Sequence, residues 1–436
     1  MGWRAVVISM KKNRASISTL QIGGIEVKKA PKSKSRSSSL KSRGQARNTF
    51  RTGKNIKKAG LNVDQLNRLS AAIHRDVEAD LYDGAAVIVA RHGVIGLSEA
   101  VGFANRAVNR HLRIDDVFNI LSVSKAFTDV IILSLIERGE LALTTRVGDI
   151  IPELNAKAKE TVTVFNLLTH TAGSPQILFP VEAGLMGNLD VVIKAICPLE
   201  LIAVPGKSVS YSPLWGHALL GAIIRRLDVS KRGLRDIFQD ELFGPLKMKD
   251  TAMGRRKDLR SRIVPIVAHD PSFGNMSAKE VEEHNQFITE DAEIPWMGCV
   301  STAYDLFRFA EMLRCGGELD GVRILSPASV KQATTIQTGT LANQYFALVM
   351  EEHGIKPPPA NIGLDFQIRG DGVGPNSMGN LTSPGTFGKF GLGGTGFWVD
   401  PERDVTFVFL RSGLLEHLND TARYQRISDM AMAAII

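Results

Sequence analysis

The 436-residue chain has only three cysteines, Cys197, Cys299 and Cys315, and no C-x-x-C pair. That excludes a disulfide scaffold and a cysteine-rich zinc site, and it fits a reducing compartment. Long apolar runs are also lacking. The most apolar stretches, such as residues 130–133, are far too short to cross a bilayer. No H-E-x-x-H occurs and the nine histidines are scattered, so a zinc-protease helix is excluded. There is no G-x-S-x-G, so the nucleophile elbow of α/β-hydrolases is absent. Acids are nearly missing from the first 58 residues, where sixteen Lys and Arg face a single acid, Glu26.

This last absence explains the net charge of +8. The first 58 residues carry +15, and residues 59–436, with 37 Lys and Arg against 44 acids, carry −7. The basic balance therefore gives no support to nucleic-acid binding by the body. The apolar segment at 5–10 is too short for a secretory signal. Residues 1–58 are expected to be a basic, unstructured tail, with a mitochondrial-type presequence as the alternative. Residues 59–436 are expected to form one catalytic domain. The expected location is intracellular and cytoplasmic, or mitochondrial if the tail is a presequence.

What is present from residue 61 onward is globular patterning. Leu61, Leu66, Leu69, Ile73 and Val77 recur at near-helical spacing, which predicts a helix over 61–80. The apolar runs 84–90 and 94–101, joined by Arg91-His92-Gly93, predict a β-hairpin. Helices are predicted near 122–138, 164–170, 214–227, 234–243, 303–314 and 327–334. Strands return at 363–368, 396–399 and 405–410, and a last helix starts near Leu415. Strands at both ends with helices between imply an α+β fold. One antiparallel sheet takes strands from both chain ends, with a mostly helical middle beside it. The segment 370–396 has ten glycines and reads as loops.

Two short matches fail on context. Residues 391–396 satisfy G-x-G-x-x-G, but Phe397-Trp398-Val399-Asp400-Pro401 follows instead of a helix that could hold a pyrophosphate. Gly206-Lys207-Ser208 resembles the end of a P-loop, but Leu201 stands where a glycine is required. No metal or organic cofactor is expected.

The match that survives is Ser122-Val123-Ser124-Lys125, an S-x-x-K ahead of an apolar helical run. Spacing i to i+3 puts the Ser122 hydroxyl and the Lys125 amine on one helical face, and Ser124 points elsewhere. A serine hydroxyl is a weak nucleophile until a base takes its proton, and a desolvated lysine can be that base. Phe118, Ile120, Leu121 and Phe127 supply an apolar flank.

The neighbouring motifs extend this. Phe118 to Lys125, Leu167-Leu168-Thr169-His170-Thr171-Ala172-Gly173, Tyr211-Ser212, Gly244-Pro245-Leu246-Lys247-Met248 and Ser301-Thr302-Ala303-Tyr304-Asp305-Leu306 follow in order. Together they resemble the serine β-lactamase-related family, which includes class C β-lactamases, D-amino-acid peptidases, family VIII-type esterases and fungal transesterases. The resemblance covers residues 62–436. It implies a β-lactamase/transpeptidase-like fold, with Ser122 as acylated nucleophile and Lys125 as its base. Tyr211 would be the second acid or base, its phenolate favoured by the nearby lysine. The Ser122 N–H and the strand at 393–396 would form the oxyanion site. Gly393, Gly394, Thr395 and Trp215 are the expected substrate-binding residues, with core packing an equally good reading of Trp215.

Two positions depart from the family pattern. Pro213 stands where Asn is usual, and Leu392 or Gly394 stands where a polar or cationic residue opens the third motif. Loss of that cation argues for neutral esters or thioesters over β-lactams. The expected function is thus a serine acyl hydrolase or transesterase. Its partners would be a small acyl donor, an acyl-carrier protein or CoA thioester among the candidates, and a water or alcohol acceptor. A catalytically weak scaffolding relative, and a β-lactamase or D-amino-acid peptidase, are the alternatives.

Overall fold

A computed structural model describes residues 53–436, apart from residues 157, 274–275, 353 and 355. The expected basic tail lies almost wholly outside the described residues. Its last six residues form a short helix, Gly53–Lys58, whose Ile56 is buried in the same apolar cluster as Leu61.

The core is a seven-stranded antiparallel sheet built from both ends of the chain. Its strands are β1 (Gly84–Arg91), β2 (Val94–Asn105), β3 (Arg110–His111), β4 (Gln367–Ile368), β5 (Phe387–Gly391), β6 (Thr395–Asp400) and β7 (Val405–Ser412). Their spatial order is β4-β5-β6-β7-β1-β2-β3. The β1–β2 hairpin closes through His92 and Gly93, both at positive φ (52° and 75°), the geometry that matches the twist of paired strands.

Alternation along β1 gives the sheet two apolar faces. Ala85, Val87 and Val89 join a cluster with α1 (Val63–Glu78) and α6 (His417–Met432), the first and last long helices. Ala86, Ile88 and Ala90 join the larger core with α2 (Ser124–Glu137), α3 (Trp215–Leu227) and α4 (Ala303–Arg314). The side chain of Asn62 caps α1 by accepting the N–H groups of Asp64 and Gln65. Three further helices, Leu189–Ile196, Ala278–Phe287 and α5 (Gln344–Glu352), were not apparent from the pattern. Among the described residues no helix is long and apolar enough to cross a membrane.

Three local differences from the sequence expectation shape the site. The helix expected to reach residue 170 stops at Val164–Leu168, because His170 turns into the left-handed region (φ 55°). The strand expected over 363–368 shrinks to Gln367–Ile368, because Asp365 (φ 65°) bends the chain and the Gly363 N–H closes onto Phe366 O. The glycine-rich segment contains a strand, β5. Glycine is needed at 388 because a Cβ there would lie 2.2 Å from Phe397 O on the paired strand.

Candidate active site

Ser122 sits in a 3-10 turn, Leu121–Val123, that runs directly into α2. Leu121 holds a left-handed φ of 48°, an unfavourable conformation for a branched side chain, so the surrounding packing must impose the turn. Ser124 Oγ pins the helix start by accepting the Cys299 N–H at 3.0 Å. The half-buried Ser122 hydroxyl is thereby presented at the end of an apolar helix.

Lys125, one turn on, is fully buried. Its Nζ lies 3.2 Å from Ser122 Oγ and donates to Trp296 O at 2.9 Å. Burial pulls its pKa from 10.5 down to about 8, against the opposing pull of Asp365 and Asp129. Tyr211 comes from the segment before α3, and its hydroxyl donates to Ser122 Oγ at 2.9 Å. The three predicted catalytic side chains thus meet around one oxygen.

The state of Tyr211 differs from expectation. Burial pushes its pKa up to about 12. The Lys125 ammonium faces its ring at 5.2 Å from the centroid, and its own hydrogen bonds go to Ser122 and Trp296. Desolvation outweighs nearby positive charge, so Tyr211 is a neutral phenol and not a phenolate.

The expected substrate-binding residues divide. Thr395 Oγ1 donates to Ile120 O at 2.9 Å, bracing the backbone just before the Ser122 turn. Gly393 and Gly394 are buried in the β5–β6 turn, packed on Leu414, Leu415 and Arg411, and Gly393 O accepts from Leu415 N and Arg411. Trp215 has no exposed surface. Its indole N–H donates to Ile196 O, so it is a core residue and does not line an open pocket.

The strand that borders Ser122 is β5. A Cβ on its last residue, Gly391, would lie 2.5 Å from Ile120 O, so only glycine allows this approach. The cation expected to be missing is on that strand. Lys389 is buried, donates to Asp365 O at 2.8 Å and pairs with the Asp365 carboxylate. A third-motif register at 392–396 overlooked it, because 387–391 read as loop.

Lys389 belongs to a fully buried polar cluster that sequence reasoning missed. His170 Nε2 is 2.6 Å from Asp365 Oδ1, and His217 Nε2 lies 3.1 Å from Asp365 Oδ2 and 3.0 Å from Asp129 Oδ1. Burial raises the Asp129 pKa, and the adjacent Asp365 charge raises it further. Burial would also raise Asp365, but Lys389 and the two imidazoles outweigh it and hold that carboxyl ionised. Burial keeps both histidines neutral, with the His217 pKa falling to about 3. Asp129, His217 and Asp365 are close enough to gather round a cation, and the Lys389 ammonium pairs with the Asp365 carboxylate of that group. In a second such group, Asp80, Asp83 and His269, the two carboxylates pair with Arg106.

The family profile described as Beta-lactamase matches residues 69–430. The chain belongs to the beta-lactamase family. Its relatives in this family include Protein Rv1367c of Mycobacterium tuberculosis, 26% identical over 386 residues, or 78% of this chain and 88% of the relative. Esterase/beta-lactamase LipL of the same organism is 27% identical over 362 residues, covering 77% and 79%. Among solved structures, a penicillin-binding protein homolog from Caulobacter crescentus superposes with TM-score 0.70 at 24% identity, covering 86% of this chain and 99% of that one. A family VIII carboxylesterase superposes with TM-score 0.68 at 19% identity, covering 85% and 99%. These superpositions establish the β-lactamase/penicillin-binding-protein fold. The family has esterases among its members, and this beta-lactamase-family chain keeps an S-x-x-K serine with its lysine within hydrogen-bond reach.

Proposed function

We propose that this chain is a serine acyl hydrolase or transesterase that forms an acyl-enzyme on Ser122. The observation that carries the reading is the convergence of Lys125 Nζ (3.2 Å) and Tyr211 Oη (2.9 Å) on Ser122 Oγ. With its pKa lowered to about 8, Lys125 is partly neutral near physiological pH and accepts the Ser122 proton as Oγ attacks an acyl carbon. The carbonyl π-bond electrons move to oxygen, where the Ser122 N–H can donate to them. Collapse re-forms the carbonyl and expels the alkoxide, which takes a proton relayed through Tyr211. Water or an alcohol then attacks the acyl-enzyme by the reverse sequence. The proton balance closes because Lys125 ends as it began. Labelling with a fluorophosphonate followed by peptide mass spectrometry tests the reading. An adduct on Ser122 supports it, and folded protein without one sinks it.

The base assignment sets a pH dependence. Lys125 must be deprotonated to act, so kcat/KM should climb with pH and level off near 8. At pH 6, two units below, it should be about 100-fold lower than the plateau. A profile flat between pH 6 and 9 would remove Lys125 as the base.

Neutral esters are the proposed substrate class, with thioesters of CoA or a carrier protein as candidate donors. Lys389 is the cation nearest the site on β5, and Asp365 neutralises it internally, leaving no free ammonium there for a substrate carboxylate. Aromatic side chains stand at Tyr211 instead. Tyr345 packs edge-on at 5.7 Å, and Phe346 at 6.0 Å is itself stacked on His417 at 4.4 Å. A p-nitrophenyl ester should therefore exceed its analogue with a free acyl-chain carboxylate by about tenfold or more in kcat/KM. Nitrocefin should turn over poorly. A preference for the anionic ester would reverse the assignment.

A further inference from the structure

The catalytic reading leaves a question about Tyr211: what holds a tyrosine on an irregular segment within 2.9 Å of the nucleophile? Three consecutive backbone N–H groups there have unusual partners. Ser210 N donates to His170 O at 2.9 Å, and Tyr211 N donates to Asn343 Oδ1 at 3.0 Å. Ser212 N donates to His170 Nδ1 at 3.2 Å. His170 thus grips the residues on both sides of Tyr211, and its ring packs against the Tyr211 ring with centroids 4.8 Å apart.

The imidazole can do this in one protonation state only. An Nδ1 that accepts an amide N–H carries no proton, so the proton is on Nε2, which donates to Asp365 Oδ1 at 2.6 Å. Asp365 is in turn held by Lys389 on the strand that borders Ser122. A continuous chain of contacts therefore runs from β5 through Lys389, Asp365 and His170 to the backbone of Ser210 and Ser212, on either side of Tyr211. The geometry points to His170 as a positioning residue: with its tautomer fixed by Asp365, it sets the Tyr211 hydroxyl on Ser122. The inference rests on the acyl-enzyme reading for its kinetic consequence, but not for its geometry.

Two substitutions separate the two ends of the imidazole. In His170→Asn the carboxamide Oδ1 can replace Nδ1 as acceptor for Ser212 N–H, and asparagine tolerates the left-handed φ of 55°. The Asp365 contact is lost. In His170→Gln the terminal amide can still donate to Asp365, but the Ser212 N–H loses its acceptor. With a p-nitrophenyl ester, His170→Gln should lose about 100-fold in kcat with little change in KM. His170→Asn should stay within about tenfold of the unsubstituted enzyme. A merely structural histidine would lower both in step with their thermal midpoints, and that result, or equal losses, overturns the inference. Crystal structures of both variants give a readout independent of turnover. The Tyr211 Oη to Ser122 Oγ separation should persist in His170→Asn and lengthen in His170→Gln; the opposite order, or no difference, overturns it. Absence of Ser122-dependent turnover in the unsubstituted protein would instead refute the acyl-enzyme reading, leaving the crystallographic comparison to decide the positioning role.

Discussion

Ser122→Ala is expected to lower kcat/KM for p-nitrophenyl esters by at least about 10³-fold, with the denaturation midpoint nearly unchanged. The two halves of this expectation have separate origins. The Ser122 side chain is half-buried and its oxygen meets two partners, Lys125 and Tyr211. Removing it leaves Lys125 hydrogen-bonded to Trp296 O and leaves the turn's backbone untouched. Stability should therefore change by no more than about 0.5 kcal/mol, as for a substitution away from core and caps. Chemistry has no such fallback. Ser124, the other serine of the motif, is fully buried and committed to the Cys299 N–H, so it cannot take over the attack. Steady-state kinetics and a urea titration on the same preparation check both halves. Retention of activity within tenfold would place the nucleophile elsewhere.

The Ser122–Lys125 contact was legible in the sequence because its spacing is local. An S-x-x-K spacing survives whether its first turn is α or 3-10, so the pairing of Ser122 with Lys125 needed no tertiary information. The sheet was legible for a similar reason. The alternation of β1 and the turn at His92-Gly93 are short-range signals, and strands at both ends leave few ways to build one sheet. The polar cluster was not legible, since Asp129, His170, His217, Asp365 and Lys389 come from five separate segments, and although His170 lies in the 167–173 motif stretch, nothing local ties it to the other four. Histidines scattered along the chain gave no hint that two of them share one carboxylate. β5 was hidden by composition: the glycines that permit close approach to Phe397 and Ile120 also read as a loop. Trp215 was ambiguous instead. Its sequence fitted a pocket wall and a core position equally well, and the first turn of α3 points it into the core.

The largest stability effect is expected at the cluster itself. Lys389→Met should destabilise the fold by about 3–5 kcal/mol at pH 7. Methionine fills a similar volume, so the loss is electrostatic. Asp365 is fully buried, and without the ammonium its charge is left to two neutral imidazoles and the neighbouring Asp129 carboxyl. The sign of the pH dependence follows from the direction of its shift. Asp365 is held below its ordinary pKa in the folded protein, so the pair stabilises most above the unfolded carboxyl pKa of about 3.9. That contribution disappears as pH falls through the lower folded value. The gap between Lys389→Met and the unsubstituted protein should thus be widest at neutral pH and narrow on acidification. Adding Asp365→Asn to Lys389→Met removes the stranded charge and keeps an acceptor for His170, so the double variant should recover about 1–3 kcal/mol relative to the sum of the single changes. Urea midpoints for the three variants measure this coupling. Additive losses would mean that Lys389 and Asp365 act on the fold independently. Lys389 would then be a candidate cation for substrate, and the preference for neutral esters would lose its physical basis.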